Sequence, residues 1–168
     1  MKKINFKKQA GFNLIEVLLA FMILSIGLLG VAGLQTTAIK ASHTAMLKTI
    51  AITKVSEIVE RIRSNTNVDI SAYELAKGAV GADRSCDQRG PAATQCSPED
   101  MAQNDLFVWE NSLINGAGLP AEGTDASIIL DNAVVPPVVT ITVYWVERGE
   151  DMTYSSMIQQ LPLVAPAP

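Results

Sequence analysis

Apolar residues run almost unbroken from Phe12 to Leu34, and only beyond them does the chain begin to alternate between apolar and polar positions. At about 1.5 Å per residue these twenty-three positions reach about 35 Å as a helix, enough to cross a hydrocarbon core of about 30 Å. Further on, apolar or small residues recur at Leu47, Ala51, Val55, Ile58 and Ile62, steps of four and three that mark one helix face. Lys48, Lys54, Glu57, Glu60, Arg61 and Arg63 take much of the remainder, and no proline occurs before Pro91. The pattern predicts one long helix from about Asn13 to Ser64, apolar in its first half and amphipathic in its second.

A second helix is announced by Ser97, Pro98 and Asp100: an N-cap hydroxyl, a proline suited to the first helical position, and an acid three residues after the cap. It should run to about Asn115 with Ala102, Leu106, Trp109 and Leu113 on one face, and Gly116, Gly118 and Pro120 should end it. From residue 126 the period changes to two. Strands are expected at Ser127 to Leu130, Val138 to Val146 and Thr153 to Leu161, with Arg148 to Asp151 as a turn and Pro162 to Pro168 as an irregular tail. In the middle strand Val139, Ile141, Val143 and Trp145 form an apolar face against Thr140, Thr142, Tyr144 and Val146. The expected class is therefore α+β, a long helix packed on a small antiparallel sheet. With about 134 residues beyond the apolar run there is room for one modest globular domain.

One residue breaks the apolar run. Glu16 places a carboxylate near its start, at a cost of about 2.5–3.5 kcal/mol on insertion scales, and such residues usually meet a partner charge or serve a function. Lys2, Lys3, Lys7 and Lys8 precede the run, whereas no basic residue follows it until Lys40, so the amino terminus is expected in the cytoplasm and everything after residue 34 outside. Gly27, Gly30 and Gly33 each cost about 1 kcal/mol relative to alanine in a helix interior. They fit either bending or close helix packing, or simply the frequency of glycine in membrane helices.

The chain carries 13 basic and 17 acidic residues. Loss of residues 1–11 would remove four of the basic ones and leave a formal charge of −8, which disfavours direct nucleic-acid binding. Cys86 and Cys96 lie ten positions apart in a stretch rich in Gly, Pro, Ser and charge, and outside the cytoplasm such a pair is expected to bridge. The competing reading, two free thiols or half a metal site, lacks supporting histidines, because His43 stands alone in the sequence. There is no H-E-x-x-H, no Gly-rich phosphate loop and no G-x-S-x-G, so no enzyme, metal or cofactor is expected. Glu150 and Asp151 read as a solvated acidic pair, and His43 as a surface or packing residue.

A short basic leader, Gly11 followed by Phe12, Glu16 four residues later and then an apolar helix together resemble the class III signal of type IV pilins. The resemblance implies a prepilin peptidase that cuts between Gly11 and Phe12 and methylates the new amino terminus to N-methylphenylalanine. It also implies that Glu16 meets the methylated terminus of a neighbouring subunit during pilus assembly. The run ERIRSN at 60–65, Tyr73, the cysteine loop, D-L-x-x-W at 105–109 and Leu119-Pro120 resemble, more narrowly, the PilV-type minor pilins.

On that resemblance the chain divides into a prepilin leader at 1–11, a transmembrane or fibre-core half-helix at 12–34, an amphipathic half-helix at 35–65 and a periplasmic globular domain at 66–168. The implied role is a minor pilin, incorporated in low copy into the type IV pilus, that helps start assembly with other minor pilins. Its partners would be the peptidase, other minor pilins, the major pilin and the inner-membrane assembly platform. Its location would be the bacterial inner membrane as a single-pass protein, then the surface fimbrium. A type II secretion pseudopilin shares the leader, helix and Glu16. A membrane-anchored surface-binding module using the loop from Gly78 to Pro98 is the reading from a different class.

Overall fold

A computed structural model describes residue 11 and residues 13–86, 96–116, 118–135 and 137–158. The leader before Gly11, Phe12, the loop between the cysteines at 87–95 and everything after Ile158 lie outside the described residues. These include the expected last turns of the third strand and the proline-rich tail. By its internal contacts the chain falls into two units, Met1–His43 and Thr44–Pro168. One helix, α1, spans Leu14–Ser64 and contributes to both.

In the first unit α1 is exposed along its apolar length, with Leu14, Phe21, Ile26 and Leu34 each more than half exposed. No described residue of its most apolar window is buried, and the mean hydropathy there is 2.6. Such a surface is stable only in an apolar surrounding, either lipid or other helices. Three of its hydroxyls are satisfied within the helix: Ser25, Thr36 and Thr37 donate to the carbonyls of Phe21, Ala32 and Gly33. Gly27, Gly30 and Gly33 lie inside unbroken helix, and an added Cβ at any of them would meet nothing within 4 Å. Within the isolated chain, then, no packing demand explains them.

In the second unit the amphipathic half of α1 buries Leu47, Ala51, Val55, Ile58, Val59 and Ile62. A 3₁₀ turn at Ile70–Tyr73 follows, capped by Asp69, whose carboxylate accepts the Ser71 N–H at 2.8 Å. Helix α2, Pro98–Asn115, begins with the Ser97 hydroxyl accepting the Asp100 N–H at 3.1 Å and proline in its first turn. Ala102, Leu106, Trp109 and Leu113 line its buried face, each at most 1% exposed. The sheet consists of β1 (Asp125–Asp131), β2 (Val138–Glu147) and β3 (Glu150–Ile158), all antiparallel in the order β1-β2-β3. Val139, Ile141, Val143 and Trp145 of β2 complete the core shared with α1 and α2.

The β2–β3 connection is tighter than the sequence suggests. Arg148 and Gly149 both take positive φ, 56° and 82°, as the two central residues of a type I′ hairpin do, and Glu147 pairs directly with Glu150. Two left-handed residues suffice to reverse the chain, so Glu150 and Asp151 are strand residues and β3 starts three positions before Thr153. β1 likewise extends beyond Ser127 to Leu130 at both ends. Its outer edge is closed by Leu75, which exchanges two backbone hydrogen bonds with Ile128 at 2.9 and 2.8 Å.

Trp109 anchors the contact between the two helices. It is fully buried, and its indole N–H donates to the Lys54 carbonyl of α1 at 2.7 Å. Replacing Trp109 with alanine should cost about 3–5 kcal/mol through the cavity and the lost bond. Thermal unfolding of the full chain in detergent micelles, followed by circular dichroism, measures this; a change below about 1 kcal/mol would deny Trp109 that role.

Candidate functional site

Two groups of residues were singled out by the sequence, and the structure treats them differently. The first is the amino-terminal segment. Gly11 is exposed and lies outside any helix, with α1 beginning three residues later. Glu16 occupies the first turn of α1 and is exposed, its own N–H bonded to the Asn13 carbonyl at 3.0 Å. A carboxylate in a first helical turn is favoured by the partial positive charge of the helix amino terminus. Phe12 lies outside the described residues. What this segment can do chemically follows from its contrast: one acid, on a helix end, followed by an uninterrupted apolar surface. An acid so placed is costly in an apolar medium unless a cation meets it.

The second group comes together inside the globular unit. Arg61 and Asn65 of the ERIRSN run, Tyr73, and Asp105 of the D-L-x-x-W run are scattered over 45 positions of sequence yet form one hydrogen-bonded cluster. Asp105 Oδ1 accepts from Arg61 Nη1 at 3.0 Å and its Oδ2 accepts from the Tyr73 hydroxyl at 2.9 Å. Asn65 Nδ2 donates to the Tyr73 oxygen at 3.2 Å and to the Pro98 carbonyl at 2.7 Å. The end of α1, the 3₁₀ turn and the start of α2 are thereby held at one point. Glu57, one turn earlier, receives Arg61 Nη2 at 3.1 Å and Lys54 Nζ at 2.8 Å.

The electrostatics follow from these contacts. Partial burial pushes the Glu57 carboxyl up, but the bonds and charges of Lys54 and Arg61 outweigh it and hold the group below its usual range. Arg61 is likewise disfavoured by burial and rescued by Asp105 and Glu57, so its guanidinium stays charged. For Tyr73, burial raises the phenol well above its ordinary range; the Asn65 bond opposes this and the adjacent Asp105 adds to it. Glu57 thus contributes stability that is present above its unfolded pKa and is lost as the pH falls through its lowered folded value.

Cys86 and Cys96 form a disulfide with Cα atoms 5.9 Å apart. It joins the stretch after the 3₁₀ turn to the residue preceding the α2 cap. The Asn104 side chain supports this junction by accepting the Arg84 and Cys86 N–H groups at 3.1 and 3.3 Å. Residues 87–95 of the Gly78 to Pro98 loop, the candidate binding surface, lie outside the described residues. Among the described residues no group of three or more His, Cys, Asp or Glu side chains is placed to hold a metal ion. Sequence reasoning found Arg61, Tyr73 and Asp105 only as separate motif positions. Their pairing, and the part played by Asn104, carried no local signal.

A family model described as type IV pilin Tt1218 matches residues 33–107. A model of the prokaryotic N-terminal methylation motif matches residues 6–32. The two matches adjoin. They cover the amino-terminal segment, the rest of α1, both cysteines and the polar cluster through Asp105, while the sheet lies beyond them. No curated protein and no solved structure matches the chain.

Asp105→Ala would leave Arg61 Nη1 and the buried Tyr73 hydroxyl without their acceptor, while Glu57 still receives Arg61 Nη2. The expected cost is about 2–3 kcal/mol, below that of a fully buried ion pair because the Arg61 side chain is 32% exposed. Denaturant unfolding of the full chain in micelles tests it, and an unchanged midpoint would show that the cluster holds nothing together.

Proposed function

Because this chain is a type IV pilin-like protein, we propose that it is a minor pilin, incorporated in low copy into the type IV pilus, where it helps start assembly with other minor pilins. The observation that carries the reading is Glu16: a single carboxylate in the first turn of a helix whose following surface is apolar and uncovered, placed just after Gly11. The methylation motif implies processing by a prepilin peptidase, and in this reading the peptidase cuts between Gly11 and Phe12 and methylates Phe12. The new amino terminus is a cation, and Glu16 of an adjoining subunit is its counter-charge. Pairing the two lets both enter an apolar helix bundle at a cost far below that of burying either alone.

The remaining parts fit this role. The apolar half of α1 anchors the chain in the inner membrane with its amino terminus in the cytoplasm until it joins the fibre. The globular unit, held by the Asp105 cluster and the disulfide, is then presented in the periplasm and finally at the cell surface. The match to a type IV pilin model over residues 33–107 supports a pilus subunit over a secretion pseudopilin, since it covers the amphipathic helix and part of the globular unit as well as the shared amino-terminal features. The narrower likeness to PilV-type minor pilins rests on the residues that gather around Asp105. The family is structural, and we assign this chain no catalytic step.

Glu16→Ala should be processed and inserted like the parent chain but be depleted about tenfold or more in sheared fibres, as loss of about 1.4 kcal/mol of pairing would require. Immunoblots of membrane and fibre fractions from the native host measure both properties. Parental levels of the variant in fibres would overturn the pairing.

A further inference from the structure

Residues 79–85 form no regular secondary structure, yet the segment from Gly78 to Cys86 is pinned along its length by side chains of α2 and β1. Asp125 Oδ1 accepts the Gly78 N–H at 3.2 Å, Asn104 accepts those of Arg84 and Cys86, and between them the Gly81 N–H faces the Glu110 carboxyl. Gly81 lies so close to α2 that a Cβ there would collide with the backbone at Gln103 and Phe107 and with Leu106 Cβ. The segment is therefore seated directly on the helix and leads straight into the disulfide.

Of these three side chains Glu110 is the unusual one. It is 3% exposed, and among the described residues its Oε2 has no hydrogen-bond partner. Asp125 faces it from β1 as a like charge. The charged groups of the segment, and Lys77 just before it, are engaged elsewhere. The Lys77 ammonium lies 4.4 Å from the Tyr144 ring centroid, Arg84 pairs with Asp100 at 3.4 Å, and Asp83 accepts the Ser85 N–H at 2.8 Å. No cation offsets a charge on Glu110 from these positions.

We propose that Glu110 is a pH-sensitive latch for the segment 78–86, closed while its carboxyl is protonated and loosened when it ionises. Burial, with a smaller contribution from Asp125, raises the carboxyl in the closed state despite the opposing Gly81 bond. In an opened state the group is solvated and returns to its ordinary range. The closed state thus binds the proton more tightly, so its advantage over the open state is full below the ordinary carboxylate range and declines as the pH rises through the raised value. Loosening frees the backbone leading into Cys86 and bares the α2 surface at Gln103 to Phe107, a surface on an exported domain that reports external pH.

Hydrogen exchange of the full-length protein in micelles, read on peptides covering 78–86 and corrected for intrinsic exchange, tests the latch. Between about pH 5 and about pH 8 protection of this segment should fall about threefold or more, while peptides of β2 hold constant. Glu110→Gln keeps the acceptor for Gly81 and removes the charge, so its protection should stay at the acidic level of the parent throughout. A parent chain whose protection is the same at both ends of the range overturns the proposal, as does a Glu110→Gln chain that keeps the parent's pH dependence. If Glu110→Gln fails to fold, the parent profile decides alone.

Discussion

The Asp105 carboxylate ties together three elements that would otherwise end independently. α1 arrives with Arg61, the 3₁₀ turn with Tyr73, and α2 supplies the acid itself. Both carboxylate oxygens are used, and Asn65 extends the cluster to the Pro98 carbonyl beside the α2 cap. A partly buried acid of this kind adds little net stability compared with apolar packing, but it tolerates few alternative arrangements because each misplacement strands a polar group. The apolar core supplies the driving force for bringing α1 and α2 together. The cluster fixes the register in which they meet, and that register sets where the disulfide and the seat for residues 78–86 fall.

α1 is one helix built for two solvents. Its first part has apolar residues on all sides and satisfies its hydroxyls by bonding back to carbonyls four residues earlier. Its second part concentrates apolar residues on one face and leaves Lys54, Glu57 and Arg61 to pair along its flank. Insertion in a membrane and packing under a sheet are thus demands met by composition in one half and by periodicity in the other. Glu16 belongs to neither pattern. In the proposed function that acid is the counter-charge of a neighbouring subunit's amino terminus.

Much of this was legible in the sequence, for identifiable reasons. The helix face from Leu47 to Ile62 and the alternation from Val139 to Trp145 were readable because each depends only on local period, and Ser97-Pro98 announced α2 because capping is local too. The hairpin at Arg148-Gly149 was read too wide: acidic residues are common in turns, and nothing local says that two left-handed residues already close it. The Leu75 bridge to Ile128 and the pairing of Arg61 with Asp105 were not legible, since partners more than 40 positions apart are chosen by packing. The amino-terminal site was the reverse case. Gly11, Phe12 and Glu16 stand out through their spacing in sequence, and the role proposed for them rests mainly on that spacing.

The proposed function requires that this chain be processed as a prepilin and enter a fibre. The most direct measurement is the mass of its amino-terminal peptide, taken separately from sheared surface fibres and from membranes of the native host. A peptide beginning at N-methylated Phe12 is expected in the fibre fraction. A chain that keeps the leader from Met1 to Gly11, or a processed chain found only in membranes, would contradict it.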